Sequence, residues 1–313
     1  MNSMPNRYLA SPKVAQALRM NKAVVALEST VVTHGLPRPE NIELALAMER
    51  VVETHGAVPA TIALLAGQVH IGLLPDQLER LASSENVHKI SLREFGPAAA
   101  LGWDGGTTVA GTLLAASRAG IRVFATGGIG GVHLEPANDV SADLPALARY
   151  PLIVVCSGAK SILDLAATLE YLETSGVMVL GYQTDEFPAF FSRESGLPVP
   201  LRVESSAEIV EIALAHWQTG LESSILVCAP APMEAAIPRR QVEEAIETAL
   251  EHARRQGIRG HAVTPFLLEE ISRITDKASL AANLALLQNN ARVAAQIATA
   301  LTLRAAQQIA VDF

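Results

Sequence analysis

Tyr150 to Leu172, YPLIVVCSGAKSILDLAATLEYL, is the stretch on which the reading of the fold turns. Leu152 to Cys156 is an uninterrupted apolar run rich in β-branched residues, as expected of a strand covered on both faces. Ser157-Gly158 breaks the run. From Ser161 the apolar period becomes helical, with Ile162, Leu165, Leu169 and Leu172 on one stripe. The pattern predicts a buried strand, a short turn and a helix opening at Ser161. It places Lys160 at the carboxyl end of the strand, where open α/β sheets bind their ligands. An amine at a helix amino end is disfavoured as a cation, which would suit a nucleophile. The plainer reading of the same position is a solvated lysine at a helix start.

Similar units recur along the chain. Lys22 to Leu27 reads as a core strand ending in Glu28, followed by a loop with His34 and a helix closed by Gly56. Thr61 to Leu65 and Gln68 to Leu73 read as a hairpin around Ala66-Gly67. A strand ending at His88 to Ser91 carries Lys89. Gly105-Gly106-Thr107-Thr108 reads as the opening of the helix Val109 to Ala119, a pattern that suits either an anion nest or a plain helix cap. Ile121 to Ala125 ends in the glycine run Gly127 to Gly131, followed by His133. This is not a dinucleotide fingerprint, because no helix starts within the glycines. Asp139 and Asp143 have the spacing of one helical turn, although Ser141 and Asp143 suit capping groups equally, and oxygen-only ligation would favour Mg²⁺ or Mn²⁺ over zinc. The segment PAFFSRESGLPVPLRV reads as a lid, edge or subunit contact rather than core. His261 to Thr264 reads as a last strand-like run, and a long alanine-rich helix carrying Asn283, Asn289 and Asn290 runs from Ser279. No linker separates these elements. The expectation is a single domain over residues 1–313, an α/β three-layer α/β/α sandwich with a central mixed sheet.

Composition narrows the function. The 313 residues are half hydrophobic, enough for a sizeable core, and the net charge of −8 excludes an electrostatic nucleic-acid binder. At 4% aromatic residues, a base-stacking surface is also excluded. No apolar run reaches membrane-spanning length, and the amino-terminal residues lack the apolar core of a signal peptide. Cys156 and Cys228 lie in strand-like runs without metal or redox spacing, as expected of reduced core residues in a cytoplasmic protein. The chain has five lysines, Lys13, Lys22, Lys89, Lys160 and Lys277, so candidate amines are few.

Glu28, Lys89, Thr107-Thr108, the glycine run, Asp139 to Asp143 and Lys160 all fall at or just after strand ends. The segments that contain them, ALESTVVTHGLPRPEN, KISLRE, GTTVAGT, ATGGIGGVH, DVSADL and VVCSGAKSILDL, closely resemble the pseudouridine-5′-phosphate glycosidase family. LGYQTDEFPAFFSRESGLPVPLRV and SLAANLALLQNNA extend the resemblance, which runs from about Ala10 to Ala310. It implies an α/β/α fold, a homotrimer, Mn²⁺ as cofactor, and cleavage of pseudouridine 5′-phosphate to uracil and ribose 5-phosphate.

Residue by residue, it implies Lys160 as the nucleophile forming a Schiff base at C1′ and Glu28 as proton donor. It implies Asp139 as metal ligand, and substrate contacts at Lys89, Thr108, Val109, His133, Ser141, Ala142, Asp143 and Asn283. Two segments depart from the family: HLEPAND is shorter than usual, and Asp276-Lys277 replaces a usual Gly-Gly, which would place a charge pair near a helix start. The competing expectations are a Schiff-base sugar-phosphate aldolase, using the same lysine without a uracil pocket, and a non-catalytic nucleotide or sugar-phosphate sensor.

Overall fold

The computed structural model describes residues 4–134, 139–258 and 263–311. Its strands are β1 (Tyr8–Ala10), β2 (Val24–Leu27), β3 (Val58–Leu65), β4 (Gln68–Ile71), β5 (His88–Ile90), β6 (Gly105–Thr107) and β7 (Val123–Ala125). They continue with β8 (Val132–His133), β9 (Ile153–Cys156), β10 (Leu163–Asp164), β11 (Met178–Tyr182), β12 (Leu201–Val203) and β13 (Ile225–Cys228). Eleven of them form one mixed, mostly parallel sheet in the order β1-β4-β3-β2-β7-β9-β13-β11-β12, with β6 joined to β3 and β5 to β6. From β3 through β2, β7, β9, β13 and β11 to β12, every pairing is parallel. All four residues of β2, β9 and β13 are buried, as strands covered on both faces require. Helices flank the sheet, and the chain is an α/β protein as the sequence pattern predicts.

Chain order reverses about β2. The chain passes from β2 to β3 on one side and returns to β7 on the other, so the carboxyl ends of β2, β7 and β9 stand side by side at a topological switch point. Glu28, Thr126 and Ser157 follow directly from those ends. The helix Ala278–Val311 lies along β2, β7 and β9, with the helices Glu40–Thr54 and Ser206–Gln218 packed beside it. Among the described residues, no helix is long and apolar enough to cross a membrane.

Several local readings change. The helix after β9 starts at Leu165, with Asp164 as its cap, rather than at Ser161. Leu163-Asp164 instead pairs with Val132-His133 as a small antiparallel ribbon. Lys160 therefore sits in a loop ahead of that ribbon, beyond the helix amino end, and the dipole argument does not apply to it. The aromatic segment divides: Phe190 and Phe191 are buried in the core, while Leu201–Val203 forms β12, the edge strand of the sheet, as one of the expected readings had it. Of the expected last strand, His261 and Ala262 lie outside the described residues, while Val263 opens the helix Val263–Ile274.

Asp276 and Lys277 adopt left-handed backbone, with φ of 47° and 64°. Glycine takes that conformation without steric cost, whereas a lysine does not. Lys277→Gly is expected to stabilise the chain by about 0.5–1 kcal/mol, read as a higher denaturation midpoint with an unchanged slope.

Candidate functional site

Glu28 leaves the end of β2 and accepts a hydrogen bond from Thr126 Oγ1 at the end of β7. The next residues do not continue the strand. Val31–Gly35 forms a π-helical turn, in which the Ser29 carbonyl accepts from the N–H groups of Val32 at 3.0 Å and Thr33 at 3.1 Å. Such turns are frequent at functional sites. The Ser29 hydroxyl donates to the Ile62 carbonyl at 2.5 Å and accepts from the Thr107 N–H at 3.0 Å, which locks β2 to β3 and β6.

The Glu28 carboxyl is held above its ordinary value. Desolvation is the first cause and the charge of Asp143 adds to it, against the opposing effects of Lys160, the Thr126 hydrogen bond and Lys89. The amine of Lys89 is pushed below the ordinary lysine range, chiefly by desolvation and then by Lys160, although the residue itself is exposed. These mutual influences place Glu28, Lys89, Asp143 and Lys160 within electrostatic reach of one another. His34, on the π-turn, is lowered by desolvation and by Lys89, so it stands near the same mouth.

Lys160 is half-buried, and its side chain has no hydrogen-bond or ion-pair partner among the described residues. Its backbone is fixed: its N–H donates to the Ile129 carbonyl at 3.1 Å, and its carbonyl accepts from the Leu163 N–H at 3.0 Å. Next to it, the buried Ser161 hydroxyl lacks a partner among the described residues. An orphaned buried hydroxyl of this kind is a place for a bound water or a substrate oxygen.

Asp143 is buried, and both its oxygens are engaged. Oδ1 accepts from the Ala110 N–H at 2.9 Å and Oδ2 from the Gly130 N–H at 2.8 Å. It thus clamps the start of the helix Val109–Ala119 to the glycine run. A Cβ on Gly130 would stand 2.2 Å from Ser141 Oγ, so glycine is required for that approach. At Gly128 a Cβ would meet the ring of Phe190 at 2.6 Å, which shows how closely the aromatic segment underlies the loop. Asp143→Ala is expected to lose about 2–5 kcal/mol in chemical denaturation, because it leaves two buried N–H groups unpaired. Asp143→Asn, which keeps one acceptor oxygen, recovers part of that loss.

The anion nest read at Gly106 to Thr108 is mostly spoken for. Gly105–Thr107 is a strand, not a helix opening, and the Thr108 N–H donates to the Ile90 carbonyl at 2.9 Å. Thr108 caps the helix through its side chain, which accepts from the Gly111 N–H at 3.3 Å. Val109 is the first helical residue, and its N–H has no acceptor among the described residues.

The remaining expected contacts fall around this centre. His133 is half-buried on β8, Ser141 Oγ accepts from the Asp143 N–H at 3.2 Å, and Ala142 precedes the helix Asp143–Leu147. Asn283 is buried on the helix Ala278–Val311, without a side-chain partner among the described residues.

Asp139 is exposed, and its carbonyl accepts from the His133 N–H at 2.9 Å. Residues 132 and 140 form an antiparallel bridge, so Asp139 and Asp143 do not share a helical face. Among the described residues no group of three or more His, Cys, Asp or Glu side chains could hold a metal. With Asp143 committed to backbone, the donors suit only a largely hydrated hard cation held through Asp139.

Sequence reasoning missed Thr126 and Asn290 as parts of the site. Asn290 Nδ2 donates to the Thr126 carbonyl at 2.9 Å and lies 3.1 Å from Ser157 Oγ, pinning the ends of β7 and β9. Nothing in residue type announced these roles. The one signal was an asparagine pair in an otherwise alanine-rich helix.

Residues 13–300 match the family described as Indigoidine synthase A like protein. A pseudouridine-5′-phosphate glycosidase of Caldanaerobacter subterraneus subsp. tengcongensis is 50% identical over 299 residues, covering 95% of this chain and 97% of its own. That of Methylobacterium nodulans is 52% identical over 301 residues, covering 95% and 89%. Among solved structures, the prealnumycin C-glycosynthase AlnA in complex with ribulose 5-phosphate superposes with a TM-score of 0.90 at 41% identity, covering 97% of this chain and 99% of that one. An indigoidine synthase A-like protein from Thermotoga maritima gives 0.87 at 37%, covering 96% and 99%. With half its residues shared along nearly its whole length, the chain belongs to the pseudouridine-5′-phosphate glycosidase, indigoidine synthase A-like, family of enzymes.

Proposed function

We propose that this enzyme reversibly cleaves the C–C glycosidic bond of pseudouridine 5′-phosphate to uracil and ribose 5-phosphate, through ring opening and a Schiff base from Lys160 to C1′, in pseudouridine catabolism. The observation that carries this reading is the convergence of an unpaired lysine and a carboxyl with a raised pKa at one switch point of the sheet. A C-glycoside has no heteroatom leaving group, so protonation of a leaving oxygen, as in ordinary glycosidases, cannot break it.

Ring opening avoids that obstacle. Glu28 gives its proton to the ring oxygen as the Lys160 nitrogen bonds to C1′ and the C1′–O bond breaks. The new secondary ammonium returns a proton to Glu28. The nitrogen pair then forms the iminium as the bond to uracil C5 breaks, and C5 takes the proton from Glu28. Water hydrolyses the iminium, releasing ribose 5-phosphate and restoring Lys160.

Lys89 and the open Val109 N–H suit the phosphate, whose binding orients the sugar. His133, Ser141 and Asn283 are left for the sugar hydroxyls and the base, while Asp143 acts by holding the loops. Mn²⁺ held at Asp139 through its hydration shell belongs to the same reading, and when bound it would supply positive charge to an anionic substrate. The homotrimer rests on the family resemblance, and the cytoplasmic setting on the two unpaired buried cysteines.

Incubating uracil with ribose 5-phosphate tests the proposal: a C–C-linked nucleotide is the expected product. A carbonyl-derived aldol product would indicate an aldolase. Absence of both, with no covalent labelling of the protein, would leave a sensor.

A further inference from the structure

The structure holds a second cleft, of about 190 Å³, whose chemistry the reaction above does not use. It opens at the carboxyl ends of β11 and β13, further along the sheet than the ends that carry Glu28, Thr126 and Ser157. Two arginines line it: Arg193, from the loop behind Phe191, and Arg292, on the helix Ala278–Val311. Both are half-buried, and no carboxylate or histidine lines the cleft.

Their hydrogen bonds go to neutral groups. Arg193 Nη1 donates to the Ala231 carbonyl at 2.5 Å, and Arg292 donates through Nη2 to Asn289 Oδ1 at 2.7 Å and through Nη1 to Gln296 Oε1 at 3.2 Å. Neither guanidinium has an ion-pair partner among the described residues. Arg7, Arg38 and Arg122 also donate to carbonyls, but each is exposed, whereas Arg193 and Arg292 are half-buried and share one cleft. Two half-buried guanidiniums that line one cleft without a carboxylate partner among the described residues favour an anion bound there.

The anchors are fixed in advance. Asn289, one helical turn before Arg292, orients its fork and donates to the Pro230 carbonyl at 3.4 Å. Gln183, in the wall, holds a left-handed backbone with φ of 56°, a conformation uncommon for residues other than glycine and concentrated at ligand sites. Tyr182 also lines the cleft. Guanidinium forks match the oxygens of a phosphate group in pairs. The volume is below the roughly 300–1,000 Å³ of pockets that enclose drug-sized ligands, which sets the size at a small ion rather than a nucleotide.

We infer that this cleft is a binding site for a small tetrahedral oxyanion of the phosphate type, separate from the site at Lys89 and Val109. Asn289 is followed in the chain by Asn290, which pins Thr126 and Ser157, so an anion bound here fastens the helix turn that also supports the reactive strand ends.

Equilibrium dialysis of radiolabelled orthophosphate against the full chain tests the site. Arg193→Gln and Arg292→Gln are each expected to weaken one class of binding by about 10- to 100-fold, the loss typical of a charge-assisted contact, while borohydride trapping with ribose 5-phosphate is retained. Lys89→Gln is expected to leave that class intact, which separates it from any phosphate site of the catalytic centre. Displacement by glycerol 3-phosphate would assign the cleft to phosphomonoesters, and its failure to displace would assign it to the free ion; both outcomes support the site. Should a glutamine variant not fold, Arg193→Lys and Arg292→Lys carry the same test, keeping the charge while losing the fork. Identical phosphate binding in wild type and the arginine variants would overturn the inference. So would arginine variants that change the oligomeric state and not phosphate binding, since the cleft would then be an interface between copies of the chain.

Discussion

Lys160→Ala is expected to abolish borohydride-dependent attachment of ribose 5-phosphate and to lower turnover of pseudouridine 5′-phosphate by about 10⁵-fold, the scale of removing a covalent nucleophile. The reason lies in the surroundings of the residue. Its backbone is tied to Ile129 and Leu163, its amine meets no carboxylate partner, and Glu28 and Lys89 face the same space. Mass spectrometry after reduction reads the adduct directly. Labelling of the alanine variant at another lysine would remove Lys160 from the mechanism, whatever the rate. A folded variant is expected, because the Lys160 side chain makes no hydrogen bond or ion pair among the described residues.

Glu28→Gln is expected to lower kcat by about 10²- to 10⁴-fold, the range for loss of a general acid. It should also remove the alkaline limb of the pH profile. The sign follows from the raised carboxyl: the proton-bearing donor form is present below its elevated pKa and is lost as pH rises through it. Activity in wild type therefore falls on a limb that lies above the ordinary carboxylate range. Thr126→Val gives the complementary result. The hydroxyl donates to the ionised carboxylate and lowers its pKa, so its removal is expected to move the limb to higher pH. A limb unmoved by Thr126→Val and retained in Glu28→Gln would place the proton donor elsewhere.

The fold was largely legible because parallel strands buried on both faces must be continuous apolar runs. Val24–Leu27, Ile153–Cys156 and Ile225–Cys228 could be nothing else, and their ends marked where Glu28 and Lys160 stand. Reading failed where short-range pattern and long-range pairing conflict. Ile162 and Leu165 share a helical stripe, yet Leu163-Asp164 pairs across to Val132-His133, and that ribbon postpones the helix. Phe190 and Phe191 fell in a segment read as lid, edge or subunit contact, because the space that the Phe190 ring fills is provided by the distant Gly128. Asp143 was legible as a capping group or a metal ligand, but the choice between the two was not, because its bonds go to the backbone N–H groups of distant Ala110 and Gly130, which leave no trace in residue type.

The Asn290 contacts join residues separated by 164 and 133 positions in the chain. Such long closures form late, after the strands they connect have already paired. The strands bearing Glu28 and Lys160 are made well before the helix that fastens their ends together. During synthesis, then, the ends of β7 and β9 lack their shared asparagine until the Ala278–Val311 segment has emerged and docked. A nascent chain halted before that segment would hold Glu28 and Lys160 without the clamp that joins the ends of β7 and β9.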